Sequence, residues 1–104
     1  MQQAFVMQLR AGFEAEYQQR HDEIWPELTA LLKQYGFSHY SIYLHPETLQ
    51  LFGTVTIPDD FNPELLKQEL VMQRWWKCMA PLMETRAGSN EPASTELTRV
   101  FFML

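Results

Sequence analysis

The chain has little of several features that mark common classes of protein. It contains one cysteine, Cys78, so no disulfide can form within the chain and a reducing compartment such as the cytoplasm is expected. No apolar run approaches the roughly 20 residues that span a bilayer, and the first residues lack the basic and apolar segments of a signal peptide. The eight basic residues are scattered singly in a chain of net charge −5, so a nucleic-acid partner is not expected.

The sequence also lacks the usual signatures of metal and phosphate sites. Its three histidines, His21, His39 and His45, fall on different predicted elements and show neither H-x3-H nor HExxH spacing. No glycine-rich phosphate loop is present. We therefore expect no metal site.

Aromatic residues, by contrast, are abundant. The chain has seven Phe, four Tyr and three Trp, which suggests an aromatic-lined pocket or a buried oligomer interface. A length of 104 residues fits a single domain, residues 1–104. With 46% hydrophobic and 20% charged residues, a folded globular protein is expected rather than a disordered one.

Hydrophobic periodicity predicts six elements in the order βαββαβ. Alternating apolar residues predict strands at residues 4–9, 39–44, 49–57 and 97–104. Apolar residues at three- and four-residue spacing predict helices at residues 13–35 and 63–83. Because proline interrupts a helix, Pro26 predicts a kink or two abutting helices near residues 22–26. The second helix can break near residues 69–71.

This order of elements predicts a ferredoxin-like α+β fold. Right-handed crossovers place both helices on one face of a four-stranded antiparallel sheet. Several predicted strands are apolar on both sides, as in Phe5 and Met7 against Ala4 and Val6. A sheet that is apolar on both faces needs a second layer, so we expect two subunits to stack their sheets face to face as a dimeric α/β barrel.

His21 is a candidate for proton transfer. It follows Tyr17 and precedes Trp25 by four residues, so the three side chains share one face of the predicted helix. Its ordinary pKa of about 6.5 suits a general acid or base at neutral pH, although a core histidine bonded to a backbone carbonyl gives the same pattern. The neighbouring Asp22 and Glu23 point elsewhere on the helix and are weak candidates for an orienting partner.

The adjacent Trp75 and Trp76 form the second candidate cluster. Neighbours on a helix diverge by about 100°, so one indole can lie in the core and the other against a pocket or a dimer seam. Indole suits the C–H-rich face of an aldose, whose hydroxyls could bond to tyrosine, Gln73 or Arg74. A pure packing role explains the pair equally well.

Tyr17, Tyr40 and Cys78 have less specific patterns. Both tyrosines could hydrogen-bond a ligand hydroxyl, although tyrosine is also ordinary in half-buried helices and sheets. Cys78 is interpreted as a buried thiol on the second predicted helix.

Taken together, these clusters resemble the L-rhamnose mutarotase family. The similarity spans essentially the whole chain in order, including residues 4–7, 17–21, 40–44 and 94–104. Its most specific parts are R-H-x-x-I-W-P-E-L at residues 20–28 and Q-R-W-W-K at residues 73–77. The resemblance implies a dimeric α/β barrel and a cofactor-free isomerase that interconverts the α and β anomers of L-rhamnose.

The same resemblance implies a role for each candidate residue. The proton-donating histidine of the family falls on His21, its sugar-contacting tyrosines on Tyr17 and Tyr40, and its tryptophan pair on Trp75 and Trp76. His21 would deliver and recover the proton of the ring oxygen, while a tyrosine, a water or a carboxylate could accept the anomeric proton. The chain departs most from the family at residues 61–72 and 84–91, which bears on discrimination between rhamnose and a relative such as fucose.

Two other functions fit the same fold. A cofactor-independent monooxygenase or haem-degrading enzyme can use this barrel, since fold does not fix function. A non-catalytic sugar-binding module would bind rhamnose without accelerating anomer exchange. Oxygen uptake with an aromatic substrate or haem tests for the first, and the rate of anomer exchange tests for the second.

Overall fold

A four-stranded antiparallel sheet with helices on one face forms the frame of the molecule. The computed structural model describes all residues from Met1 to Leu104, and its sheet order is β2-β3-β1-β4. The strands are β1 (Gln2–Gln8), β2 (Ser38–Leu44), β3 (Gln50–Thr56) and β4 (Thr95–Leu97). The helices are α1 (Glu14–Asp22), α2 (Pro26–Gln34), α3 (Pro63–Lys67) and α4 (Leu70–Met79), with a short 3₁₀ helix at Ala80–Leu82. None of the helices combines the length and apolarity needed to cross a membrane.

The first predicted helix is divided in two, as Pro26 indicated. α1 ends at Asp22, Trp25 has an extended backbone with ψ of 130°, and Pro26 occupies the first turn of α2. Proline is tolerated there because the first backbone N–H groups of a helix have no partner within the helix. As a result, His21 lies in the last turn of α1 rather than in the middle of a long helix.

The second helical segment is also divided, close to the predicted break. Asn62 caps α3 by accepting a hydrogen bond from the Glu64 backbone N–H at 3.0 Å. Glu69 is extended, with ψ of 129°, and separates α3 from α4. The Tyr35 hydroxyl donates to Glu69 Oε1 at 2.9 Å, which ties the end of α2 to this break. α4 therefore begins at a fixed point and carries the tryptophan pair.

The core lies between the helices and one face of the sheet. Alternate residues of the two central strands are buried there, with Met7 from β1 and Leu51 and Val55 from β3. The helices and adjoining segments bury a further set against them: Leu9, Tyr17, Leu28, Leu31, Leu66, Met72, Trp75, Met79, Leu82 and Met83.

A close contact between the two central strands joins this core to the edge of the sheet. Phe5 of β1 stands opposite Gly53 of β3, and its ring occupies the space above the glycine. A Cβ atom at Gly53 would lie 2.2 Å from Phe5 Cζ. The same ring meets Tyr40 of β2 edge-on, with 6.1 Å between ring centroids. Because Gly53 has no side chain, the Phe5 ring fits above it, and Phe5 in turn packs against Tyr40.

The last strand is shorter than the alternation predicted. Only Thr95–Leu97 pairs with β1, and residues 98–104 leave the sheet, so the prediction of a strand running to the end of the chain is wrong. The register explains part of the difference. Ala4 stands opposite Leu97, so the same register would place Met1 opposite Val100 and leave the residues after Val100 without a partner in β1.

The other face of the sheet is not covered by any part of this chain. Val6 and Phe52 stand opposite each other on it and are half-buried, while Tyr43 exposes 65% and Leu97 exposes 38% of its surface. The second layer that the apolar residues on both sides of the strands predict is therefore not supplied within one chain.

We expect Gly53→Ala to lower the free energy of unfolding by about 1–3 kcal/mol, because the added methyl needs space that the Phe5 ring occupies. Urea denaturation followed by circular dichroism measures this loss. Thr54→Ala, the next residue of β3 on the opposite face, is the control and should cost less. The double variant Phe5→Leu/Gly53→Ala should lose less than the two single losses together, and strict additivity would contradict the clash as the cause.

Candidate active site

The residues predicted from the sequence meet in one cavity. It has a volume of about 670 Å³ and lies among α1, α2, α4 and the β2 side of the sheet, within the range of small-molecule sites. Its lining includes all five candidates, which come from three different elements: Tyr17, His21, Tyr40, Trp75 and Trp76.

A backbone hydrogen bond fixes the His21 imidazole. Its Nδ1 lies 3.0 Å from the carbonyl oxygen of Tyr17, one turn earlier in α1. Because a carbonyl oxygen only accepts, Nδ1 carries the proton in the neutral ring and donates it, and Nε2 is left to exchange a proton with a ligand. This hydrogen bond and the predicted role in proton transfer are compatible, since the two would use different ring nitrogens. Its orienting partner is the backbone, not Asp22 or Glu23.

Aromatic rings enclose His21 on two sides. The Tyr17 ring lies at 4.3 Å between centroids with an interplanar angle of 32°, and Trp75 meets the imidazole edge-on at 5.4 Å. Trp25, from the break between α1 and α2, packs edge-on against Trp75 at 5.2 Å. These contacts leave few orientations open to the imidazole.

Burial also sets the protonation state of His21. It lowers the pKa of His21 below its ordinary 6.5, and the hydrogen bond to Tyr17 and the charge of Asp22 offset this effect only in part. The imidazole is therefore mostly neutral at neutral pH, and its imidazolium form gives up a proton more readily than free histidine does.

The two tyrosines present protonated hydroxyls to the same cavity. Burial, together with the nearby Tyr40, raises the pKa of Tyr17 well above its ordinary 10.0. Tyr40 exposes 42% of its surface at the sheet edge, yet burial of its hydroxyl raises the pKa of Tyr40 to about 12. Both hydroxyls therefore act as hydrogen-bonding groups at neutral pH and not as phenolates.

The structure separates the two tryptophans, as neighbours on a helix must be. Trp75 is only 7% exposed and belongs to the core, where it contacts His21 and Trp25. Trp76 is half-buried and packs against the edge of that core. Both border the cavity, so Trp75 belongs to the core and also lines the cavity.

Arg20 holds α1 against the end of α4. Its guanidinium donates to the backbone carbonyl of Cys78, lies 3.5 Å from Cys78 Sγ and pairs with Glu16 one turn earlier in α1. Arg20 precedes His21 directly, and Cys78 follows Trp76 by two residues. This contact therefore sets the spacing between the imidazole and the indole wall, a role that the sequence did not indicate.

Six polar side chains that were given no cavity role in the sequence also line the cavity: Glu14, Gln18, Thr29, Lys33, Ser38 and His39. Glu14 precedes Tyr17 by three residues and Gln18 precedes His21 by three, so helical spacing could have found them. Glu14 is the one carboxylate among the lining residues. No group of three His, Cys, Asp or Glu side chains is arranged to hold a metal ion.

His39 reaches the cavity through an irregularity in β2. The β2–β3 pairing shifts register between Ser38 and Ser41, and His39 has a positive φ of 51°. Strict alternation placed His39 and Tyr40 on opposite faces, whereas both line the cavity. A bulge of this kind redirects side chains, and a positive φ is uncommon for a residue other than glycine.

Two residues suggested as sugar contacts lie elsewhere. Gln73 and Arg74 are exposed, and neither borders the cavity. The Gln73 side-chain amide instead donates to the Lys67 carbonyl oxygen at 3.0 Å. These two residues therefore do not join the other candidates around the cavity, because the orientation of α4 that buries Trp75 leaves them exposed to solvent.

Comparison with known proteins identifies the family. A sequence profile described as L-rhamnose mutarotase matches residues 2–103. The chain belongs to the L-rhamnose mutarotase family. Proteins named L-rhamnose mutarotase from Jannaschia sp. (strain CCS1) and Rhizobium leguminosarum bv. trifolii are 53% and 50% identical to it over 100 residues. These alignments cover 96% of this chain and 95% and 93% of the two relatives, respectively.

A solved structure agrees with this assignment. The crystal structure of an L-rhamnose mutarotase from Formosa agariphila matches this fold with a TM-score of 0.91 at 38% sequence identity. The match covers 100% of this chain and 99% of that one. The predicted family and the predicted ferredoxin-like α+β fold are both confirmed.

We expect the two tryptophans to differ when each is replaced by alanine. Trp75→Ala should lower the free energy of unfolding by about 3–5 kcal/mol, because a buried indole leaves a cavity. Trp76→Ala, its matched control, should cost clearly less and should weaken L-rhamnose binding by roughly 1–3 kcal/mol. Denaturation curves measure the first effect and fluorescence titration the second. Equal stability losses with unchanged sugar affinity would contradict this division.

Proposed function

We propose that this protein is an isomerase that interconverts the α and β anomers of L-rhamnose, in rhamnose metabolism in the cytoplasm. The observation that carries the proposal is the His21 imidazole, whose Nδ1 is held by the backbone while its Nε2 is free, in a cavity walled by indoles and tyrosine hydroxyls. Membership of the L-rhamnose mutarotase family supports the same substrate.

Ring opening and closing explain how one imidazole can serve both anomers. Opening breaks the bond between C1 and the ring oxygen, which gains a proton while the anomeric hydroxyl loses one. In this proposal the imidazolium of His21 delivers the ring-oxygen proton, and the neutral imidazole recovers it from the C5 hydroxyl on closure. The open chain can turn its planar carbonyl before closure, so attack on the other face yields the other anomer.

The remaining residues of the cavity bind the sugar and exchange the second proton. Trp75 and Trp76 offer indole surface to the C–H-rich face of the ring, and the hydroxyls of Tyr17 and Tyr40 bond to sugar hydroxyls. Since the raised pKa values of both tyrosines keep them protonated, they are poor acceptors for the anomeric proton. The Glu14 carboxylate or a water molecule fits that role better.

We also propose that the protein is a homodimer. One face of its sheet is open to solvent and carries Val6, Phe52, Tyr43 and Leu97. A second copy that stacks the same face against it would bury these side chains on both chains at once, as a two-fold interface requires.

His21→Asn should slow catalysed anomer exchange by about 100-fold or more, because asparagine keeps some hydrogen bonding but cannot carry a proton. Saturation-transfer NMR between the two L-rhamnose anomers measures the exchange directly. His45→Asn is the matched control, since His45 lies in the β2–β3 turn away from the cavity. A folded His21→Asn protein with near-normal exchange would remove His21 from the mechanism.

The pH profile of exchange gives a second readout of the same role. The donor is the imidazolium, whose fraction is high below its pKa and falls as the pH rises through it. Burial lowers the pKa of His21, so the fall in exchange rate with rising pH should have its midpoint below pH 6.5. This pH dependence should be absent from His21→Asn. Catalysed exchange should therefore rise as the pH falls from about 8 to about 6. A fall toward acid pH would instead make the neutral imidazole the active form.

The same NMR experiment separates the alternative functions. A non-catalytic sugar-binding module would bind L-rhamnose and leave anomer exchange at its rate in water. Oxygen uptake on addition of an aromatic substrate or haem would indicate an oxygenase on the same barrel.

We expect wild-type protein to sediment as a dimer at micromolar concentration. Val6→Lys should shift it toward the 12.3 kDa monomer, because a charge in the middle of the stacked sheets would lose its hydration. Glu64→Lys, an exposed position on α3 far from that face, is the control. Wild-type protein that sediments as a stable monomer would rule out the dimer.

A further inference from the structure

One face of α1 runs along the cavity. Glu14, Tyr17, Gln18 and His21 all border it, and their spacing of three and four residues places them on one side of the helix. Glu14 lies in the first turn of α1 and His21 in the last. Because an α-helix rises about 1.5 Å per residue, these two residues are separated by about 10 Å along the helix axis. The cavity therefore receives a polar side chain at each end of this row.

The Glu14 carboxylate is held at one oxygen and has no partner in the protein at the other. The Gly12 backbone N–H donates to Glu14 Oε1 at 2.7 Å. Gly12 has a positive φ of 92°, which glycine adopts without strain, so the turn before α1 presents this N–H to the carboxylate. Glu14 takes part in none of the ion pairs of the molecule. Its Oε2 is therefore available to accept a hydrogen bond from a ligand.

The side chains of Glu14 and His21 preserve the separation between their backbones because both lean the same way. Helical side chains tilt toward the N-terminus of the helix. His21 Nδ1 bonds to the carbonyl oxygen of Tyr17, four residues earlier, and Glu14 bonds to the N–H of Gly12, two residues earlier. The distance between His21 Nε2 and the free oxygen of Glu14 is therefore set by the helix at roughly 10 Å.

A pyranose ring spans this distance in one direction. C3 lies opposite the ring oxygen, and about 4 Å from the ring oxygen to the C3 hydroxyl oxygen, plus a hydrogen bond of about 2.8 Å at each end, gives about 10 Å. The anomeric oxygen is bonded to the same carbon as the ring oxygen and lies about 2.3 Å from it, so the same sum gives about 8 Å. With His21 at the ring oxygen, Glu14 matches the C3 hydroxyl better than the anomeric hydroxyl.

We propose that Glu14 determines specificity by accepting a hydrogen bond from the C3 hydroxyl of L-rhamnose, which turns the anomeric end of the sugar toward His21. This inference rests on the anomer exchange proposed above. Hydrogen bonds to an ionised group are stronger than those between neutral groups, and a sugar without the C3 hydroxyl leaves the carboxylate without its partner. With Glu14 at the far end of the sugar, a water molecule is left to accept the anomeric proton.

The kinetics of Glu14→Gln separate binding from proton transfer. The amide oxygen of glutamine can still accept from Gly12, but its NH₂ group takes the place of the free carboxylate oxygen and cannot accept from a hydroxyl. We expect KM for L-rhamnose to rise about 10-fold and kcat to change by less than about threefold. Glu47→Gln, in the β2–β3 turn away from the cavity, is the control and should change neither. A kcat about 100-fold lower at unchanged KM would make Glu14 the proton acceptor and overturn the inference.

Deoxy sugars test which hydroxyl Glu14 contacts. Wild-type protein should lose about 10-fold in kcat/KM when 3-deoxy-L-rhamnose replaces L-rhamnose, whereas Glu14→Gln should lose less than about twofold, because its contact is already missing. 2-Deoxy-L-rhamnose is the matched control, since its missing hydroxyl is next to the anomeric carbon, and it should cost both proteins the same factor. An equal loss in both proteins with the 3-deoxy sugar would overturn the contact.

A binding measurement separates this inference from the proposed function. Tryptophan fluorescence titration gives the Kd of L-rhamnose and of its 3-deoxy analogue without requiring exchange. The ratio of the two Kd values should be about 10 for wild-type protein and near 1 for Glu14→Gln. The same ratio in both proteins would overturn the inference whether or not exchange is catalysed. Wild-type protein that binds L-rhamnose without accelerating exchange would reject the proposed function alone, and the Kd ratios would still decide the contact of Glu14.

Discussion

The packing of α1 against α4 is the contact on which the rest of the site depends. Within α1 the rings of Tyr17 and His21 lie 4.3 Å apart between centroids, and the His21 ring meets Trp75 of α4 at 5.4 Å. Aromatic pairs of this kind contribute about 0.5–1.5 kcal/mol each beyond the area they bury. Arg20 adds a polar clamp from α1 to the end of α4. The aromatic residues that stabilise this interface therefore also border the cavity.

Because the same aromatic side chains stabilise the interface and line the cavity, the backbone that carries them must have a defined path. The helix that carries His21 must end where it does, since the extended Trp25 and Pro26 close α1 and send a third ring against Trp75. On the sheet side, the missing side chain of Gly53 admits Phe5, and Phe5 contacts Tyr40. The break before Pro26 and the missing side chain at Gly53 thus help to position the His21 imidazole and the Tyr40 hydroxyl.

The order of elements and most of the candidate residues could be predicted from the sequence, because they depend on patterns between residues close together in the chain. Alternation and helical spacing specify the order of elements, and Pro26 marks the break between α1 and α2. The candidates from Tyr17 to Trp76 meet in one cavity, although their roles stay predictions. Periodicity also divides Trp75 from Trp76, since adjacent helical residues cannot face the same way.

What the sequence did not indicate depends on partners distant along the chain. The bulge that turns His39 into the cavity comes from the pairing of β2 with β3, and alternation alone assigns it to the other face. The contact of Arg20 with Cys78 joins residues on different helices without a pattern that links them. Residues 98–104 alternate like a strand, but they leave the sheet beside the first residues of β1.

The central position of β1 has a consequence for how the chain folds as it is made. β1 is synthesised before the other three strands, yet it lies between β3 and β4, and Ala4 pairs with Leu97 of the last strand. At about 5–20 residues per second, roughly 5–20 s separate the synthesis of these two residues. During that interval one edge of β1 has no native partner. The sheet can therefore close only after β4 has been made, and folding depends on keeping that edge from pairing wrongly until then.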